Sequence, residues 1–176
     1  MKIQQIEVIQ IETPRFYGHT SGHTLVKVHV EDGPVGLGEA SDSKCQDVGA
    51  LAAMLKEKLK GRDARQINEI NEYMLSRKWT STVSDRHVAS AIDLALYDLN
   101  GKVQGVPAYQ LLGGQVRDRL YCCYPIFGWQ VKEDFERAGS YLQRLVDLGH
   151  HLFRFYVSGD ADLDNRFLTE MKARHG

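Results

Sequence analysis

Between Ser84 and Gly114 the chain runs SDRHVASAIDLALYDLNGKVQGVPAYQLLGG, a long amphipathic stretch that breaks at a glycine–proline turn and stops on a double glycine. Val88, Ile92, Ala95, Leu96, Leu99 and Val103 recur at spacings of three and four, so one face of a helix over residues 84–103 is apolar and is expected to be buried. Ser84 is placed to cap that helix, its hydroxyl accepting from one of the first unpaired amides, with Asp85 in the first turn where the helix dipole favours a negative charge. Gly105 offers a left-handed stop and Pro107 forbids simple continuation. A short second helix over Ala108 to Leu112 should then end on Gly113 and Gly114.

A helix with one apolar face needs a second layer, and the residues before it supply one. Lys2 to Glu12 alternates in part, as a strand with one irregularity does. A loop rich in glycine, aromatics and histidine is expected from Thr13 to His23. Thr24 to Val30 then alternates cleanly, Glu31-Asp32-Gly33 turns, and Val35 to Ala40 returns as an antiparallel partner. Helical patterns follow over 45–60, 64–76 and 84–103. Strands first and helices after predict an α+β fold, a three-stranded antiparallel sheet covered by a helical bundle.

Beyond Gly114 the pattern changes. Leu120 to Phe127 is a short apolar run, and Val131 to Leu148 is helical with Phe135, Ala138, Leu142, Leu145 and Val146 on one face. Leu152 to Val157 is a second short strand, and 160–174 is a second helix. A strand–helix–strand unit implies two parallel strands and a crossover. Parallel sheets are normally covered on both faces, so more chain is expected downstream of these elements. The division predicted is residues 1–118 and 119–176.

The formal charge of −1 carries no clustered excess of Lys and Arg, which argues against a nucleic-acid surface. No apolar run approaches the roughly 20 residues that span a bilayer, and the opening MKIQQIEVIQIE lacks the apolar core of a signal peptide, so the expected compartment is the cytoplasm. Cys45, Cys122 and Cys123 form no disulfide framework or zinc spacing and are expected to be buried free thiols.

The run Ala89-Ser90-Ala91-Ile92-Asp93-Leu94-Ala95-Leu96-Tyr97-Asp98-Leu99, followed by Gly101-Lys102, Pro107 and Leu111-Leu112-Gly113-Gly114, resembles the N-terminal signature of the mandelate racemase and muconate lactonizing enzyme group of the enolase superfamily. Val26 to Ala40 resembles the second and third strands of the same domain. Ala108 and His87 are mild departures. The resemblance implies an N-terminal α+β capping domain followed by the first two β/α units of an incomplete TIM-type barrel. It also implies a parent enzyme that abstracts a proton alpha to a carboxylate and stabilises the enediolate on Mg²⁺, as an acid-sugar dehydratase, racemase or cycloisomerase. The family's metal ligands lie on the third, fourth and fifth barrel strands. None of these is in this sequence, so this chain by itself is expected to bind no Mg²⁺ and to be inactive.

One family position does fall inside the chain. Many relatives carry Lys-x-Lys on the second barrel strand, and the matching residues here are Arg154 and Tyr156, two apart and therefore on one face of a strand. Arg154 suits a carboxylate through a bidentate contact. Tyr156 is a poor base unless its ordinary pKa, about 10, is strongly lowered. Packing inside the barrel is the alternative for both. The resemblance further places a substrate-closing loop at 15–23, with Phe16, Tyr17 and His19 as substrate-binding candidates, and a second loop at 41–46. Asp93 and Asp98 lie about 500° apart on a helix and are expected to make helix-surface or interdomain polar contacts instead of a carboxylate pair. His150 and His151 point to opposite faces of a strand and cannot easily share a metal. The expected partner is a small carboxylate or sugar-acid substrate of the parent, and a homo-oligomer is expected because uncovered apolar strands associate. The competing reading is a non-catalytic cap-like binding or self-association module.

Overall fold

The structure is a computed structural model that describes residues 1–14, 20–40, 55–76, 83–126 and 132–175, the side chains of 83–85 and 132 excepted. It divides into two compact units, Met1–Val116 and Arg117–Gly176.

In the first unit β1 (Ile3–Pro14), β2 (Thr20–Val30) and β3 (Gly36–Ala40) form an antiparallel sheet in the order β1-β2-β3. The expected irregularity in β1 is a register shift between Ile3 and Gln5. Alternation fixes the faces, and Ile3, Ile6, Val26, Val28 and Ala40 are buried on one of them. Against that face lie helical residues 55–59, α1 (Ile67–Leu75) and α2 (Val83–Gln104), which share one core with it. From α2 come Val88, Ala91, Ile92, Ala95, Leu96 and Leu99, all fully buried. Burial of each large one contributes about 1.5–3 kcal/mol. Asn100, also buried, donates from Nδ2 to the carbonyls of Ala64 (2.9 Å) and Leu96 (2.8 Å), which ties α2 to the turn before α1.

Gly105, at φ +69°, ends α2, and α3 (Ala108–Leu111) follows Pro107. The left-handed stop expected at Gly105 is therefore present. Val103 is a correction: it belongs to the apolar stripe yet is about half exposed. Gly36 sits over Ala95 and Leu99 and is the first residue of β3, so the sheet does not extend far enough to cover the last turn of α2. The helix also begins at Val83, which puts Ser84 inside its first turn; the side chains of Ser84 and Asp85, and so the proposed cap, lie outside the described residues.

The loop expected from Thr13 to His23 is shorter than the sequence suggested. The β1–β2 ladder continues out to Pro14 paired with Thr20, so Ser21, Gly22 and His23 belong to a strand, their polar side chains giving no apolar alternation to mark it. Pro14 is tolerated because β1 is an edge strand and this is its last residue.

The second unit contains β4 (Tyr124–Ile126), α4 (Phe135–Asp147, entered through a 3₁₀ turn at Lys132–Asp134), β5 (Phe153–Phe155) and α5 (Ala161–His175). β4 and β5 are parallel, as the strand–helix–strand pattern requires. Phe167 is the centre of the packing, its ring edge-on to Phe135 (centroids 5.1 Å apart) and to Phe155 (5.5 Å). Arg174 joins the two helices by donating to both oxygens of Glu136. Cys122 and Cys123 are exposed, contrary to the expected burial, because residues 117–123 precede β4 without forming helix or strand. Cys45 lies outside the described residues.

Candidate functional site

β5 is only three residues long, and its pleat separates two functions. Phe153 and Phe155 turn towards the helices and are half-buried, whereas Arg154 is exposed on the opposite face and is followed on that side by Tyr156. Arg154 donates from Nη2 to the Tyr156 hydroxyl oxygen, and its guanidinium carbon stands 4.6 Å from the centre of the Tyr156 ring. The two residues that the sequence placed on one face are thus in direct contact. A guanidinium has five N–H donors in a rigid fork, so this arrangement leaves donors for a carboxylate next to a phenol.

The polypeptide leaving β5 is firmly built. Ser158 donates from its backbone N–H (2.9 Å) and its hydroxyl (2.6 Å) to Oδ1 of Asp164. Asp160 Oδ1 accepts from the amides of Asp162 and Leu163, each at 3.0 Å, and so caps α5. These bonds fix the turn that carries the chain away from Arg154 and Tyr156.

Phe16, Tyr17 and His19, and the second loop at 41–46, lie outside the described residues. The strand ends that flank the first of these loops carry a network the sequence reading missed. His23 Nδ1 lies 2.7 Å from Glu39 Oε1, and His23 Nε2 lies 3.1 Å from Thr13 Oγ1. The carboxylate selects the Nδ1–H tautomer, so Nε2 accepts from the threonine hydroxyl and the three strands are joined side chain to side chain. Only the register shows it, since Ile11 pairs with His23 and Leu25 with Glu39. On the same sheet face Glu7 accepts from His29 (3.1 Å) and pairs with Lys27 (3.8 Å).

The two aspartates of the signature make structural contacts. Asp98 Oδ2 accepts the Leu37 amide at 2.8 Å and the Lys102 ammonium at 2.6 Å, and Lys102 also donates to the Val35 carbonyl. Asp93 accepts from Asn71. Among the described residues no three His, Cys, Asp or Glu side chains converge as a metal site, so the donors present do not fit a Mg²⁺ ion. No helix of the described residues is long and apolar enough to cross a membrane.

Residues 7–113 match the model of the mandelate racemase / muconate lactonizing enzyme N-terminal domain. The chain belongs to this family. A D-galactonate dehydratase family member of Paenibacillus sp. strain JDR-2 is 32% identical over 140 residues, which are 77% of this chain and 33% of that protein. A D-mannonate dehydratase of Novosphingobium aromaticivorans is 30% identical over 132 residues, 73% of this chain and 32% of its own. Among solved structures, the muconate cycloisomerase of Pseudomonas fluorescens superposes with a TM-score of 0.79 at 26% identity, over 99% of this chain and 48% of that one. The dipeptide epimerase of Enterococcus faecalis V583 shares the fold, with a TM-score of 0.84 at 21% identity over 100% of this chain and 50% of its own. The matched residues thus span about a third of these curated relatives and half of these solved structures. Three strands followed by helices make this the α+β fold of the family's N-terminal region.

Proposed function

We propose that this chain is the capping domain and the first two β/α units of an enzyme that abstracts a proton alpha to the carboxylate of an acid sugar. In this reading residues 1–118 form the cap and 119–176 open the barrel, the latter contributing Arg154 and Tyr156 to the active site. The observation that carries it is the Arg154–Tyr156 pair on the helix-free face of β5. Its support comes from two curated relatives, a D-galactonate dehydratase family member and a D-mannonate dehydratase. Arg154 holds the substrate carboxylate and orients the carbon that loses the proton. Tyr156, kept beside the guanidinium, hydrogen-bonds the substrate or passes a proton from its hydroxyl. The cap segment with Phe16, Tyr17 and His19 selects the sugar. The enzyme works in the cytoplasm; Mg²⁺, where bound by the complete enzyme, would supply positive charge opposite the carboxylate that Arg154 holds, and among the described residues of this chain no three His, Cys, Asp or Glu side chains come together to hold it.

The test uses the polypeptide encoded by the whole reading frame, assayed for 2-keto acid formation from D-galactonate and D-mannonate. Arg154→Ala should lower kcat/KM by about 100-fold, chiefly through KM, and Tyr156→Phe should lower kcat with KM little changed. Turnover and affinity unchanged in both variants would remove these residues from the site. Residues 1–176 alone should show no stoichiometric Mg²⁺ binding by calorimetry, and tight binding would overturn the assignment of the metal to other residues.

A further inference from the structure

α5 holds the chain at the end of β5 at two points. Phe155, the last residue of the strand, sets its ring edge-on against Phe167 with the centroids 5.5 Å apart. Further along, Ser158 gives both of its donors to Asp164 Oδ1, the backbone N–H at 2.9 Å and the hydroxyl at 2.6 Å. Asp164 and Phe167 are less than one turn apart on the same helix, so both anchors belong to one rigid element. The Ser158 hydroxyl oxygen in turn accepts the Asp160 amide at 3.1 Å, and Asp160 caps α5. Gly159, at φ +98°, makes the tight turn between Ser158 and Asp160.

Tyr156 lies between these anchors, one residue past the strand. Its amide reaches the Ile126 carbonyl at 3.4 Å, longer than the ordinary range of about 2.7–3.2 Å, so the ladder has loosened by this residue. The Tyr156 hydroxyl nonetheless meets the Arg154 guanidinium, and that guanidinium also stands over the ring. Arg154 is inside β5 and is placed by its pairing with β4. The phenol hydroxyl sits at the far end of a long rigid side chain, where a small rotation of the Tyr156 backbone would carry it off the guanidinium. The backbone beyond the strand must therefore be held, and the Ser158–Asp164 bonds hold it.

We propose that Asp164 is a positioning residue for Tyr156: by holding Ser158, its carboxylate fixes the chain beyond β5 so that the Tyr156 hydroxyl stays on Arg154. The effect on turnover rests on the catalytic reading above, whereas the placement of the phenol rests on the geometry alone.

The test uses the polypeptide encoded by the whole reading frame. One set of proteins carries 3-fluorotyrosine in place of Tyr156 and is read by fluorine NMR; a second set, unlabelled, is assayed for 2-keto acid formation from the same two sugar acids. Asp164→Ala leaves the Asp160 cap and the bond from the residue 164 amide to the Asp160 carbonyl in place, so the far-ultraviolet circular dichroism should be unchanged. It should move the fluorine resonance towards that of free 3-fluorotyrosine and lower kcat by about tenfold or more with KM little changed. Asp164→Asn keeps an oxygen that accepts from the same two donors and should restore both readouts. Ser158→Ala keeps the backbone bond, should give a smaller change in the same direction, and carries the test if Asp164→Ala does not fold. In a Tyr156→Phe background Asp164→Ala should cost no further kcat, because it acts through the hydroxyl already removed. An equal loss in both backgrounds would show a general structural role and overturn the proposal. A fluorine resonance that neither Asp164→Ala nor Ser158→Ala moves would also overturn it. A resonance that moves while kcat stays unchanged in both Asp164→Ala and Tyr156→Phe would uphold the positioning and remove Tyr156 from the catalytic reading instead.

Discussion

Gly38 lies against the Ala91 carbonyl so closely that a Cβ on Gly38 would come within 1.9 Å of the oxygen. Gly36, two residues earlier on the same face of β3, stands in the same relation to Ala95, with its Cβ position 2.0 Å from that carbonyl. β3 therefore rests on the backbone of α2, with glycine on one side and alanine on the other. The contacting atoms are main chain and cannot swing aside. Gly38→Ala should destabilise the chain by at least about 3 kcal/mol, measured as a lowered urea midpoint at unchanged slope. Gly105→Ala is the control: nothing stands near its Cβ position, and the cost is confined to the left-handed backbone, about 1–2 kcal/mol. Equal losses in the two variants would show that close packing of β3 on α2 is not what Gly38 provides.

That contact also shows where the sequence stops being informative. The apolar stripe of α2 is legible from Val88 to Leu99 because period and burial agree there. Val103 follows the same period but is exposed, since coverage depends on where β3 begins, and no pattern within the helix carries that information. Alternation marks Gly36 and Gly38 as strand residues, yet the need for glycine comes from a helix more than fifty residues later. The site divides in the same way. A two-residue spacing on a strand was enough to put Arg154 and Tyr156 on one face, but their mutual hydrogen bond depends on rotamers. The Thr13–His23–Glu39 network is not legible in the sequence, because the residues around His23 read as a loop. Its polar neighbours Ser21 and Gly22 give no alternation, and the ladder out to Thr20 is held by backbone amides of no particular residue type.

Asp98 supplies what the edge of the sheet would otherwise lack. β3 is an edge strand, and its Leu37 amide donates to the Asp98 carboxylate, which is itself held by Lys102. Asp98→Ala should speed hydrogen exchange at the Leu37 amide and cost about 1 kcal/mol, a modest value because the carboxylate is partly solvated. Lys102→Ala should cost less and leave the Leu37 bond in place. Unchanged protection of Leu37 in Asp98→Ala would show that water serves the amide equally well.

Asp63 gives the fold its clearest dependence on acid. The Arg65 side chain, which donates from Nε and Nη2, and the Arg65 backbone amide hold the Asp63 carboxyl well below its ordinary range; the terminal amine of Met1, 3.2 Å away, adds to them. A carboxyl depressed in the folded state contributes stability that is fully present above its unfolded value, about 3.9. That contribution is lost as pH falls below this value towards the folded one. Glu136, held low by Arg174, acts in the same direction, so the informative measurement is the difference between two proteins. The urea midpoint of the parent chain should fall more steeply than that of Asp63→Asn as pH is lowered from about 5 to about 2. The two should converge at the acid end, where the parent carboxyl is also becoming neutral. Parallel curves over that interval would mean that the ion pair persists in the unfolded chain, where Asp63 and Arg65 remain only two residues apart.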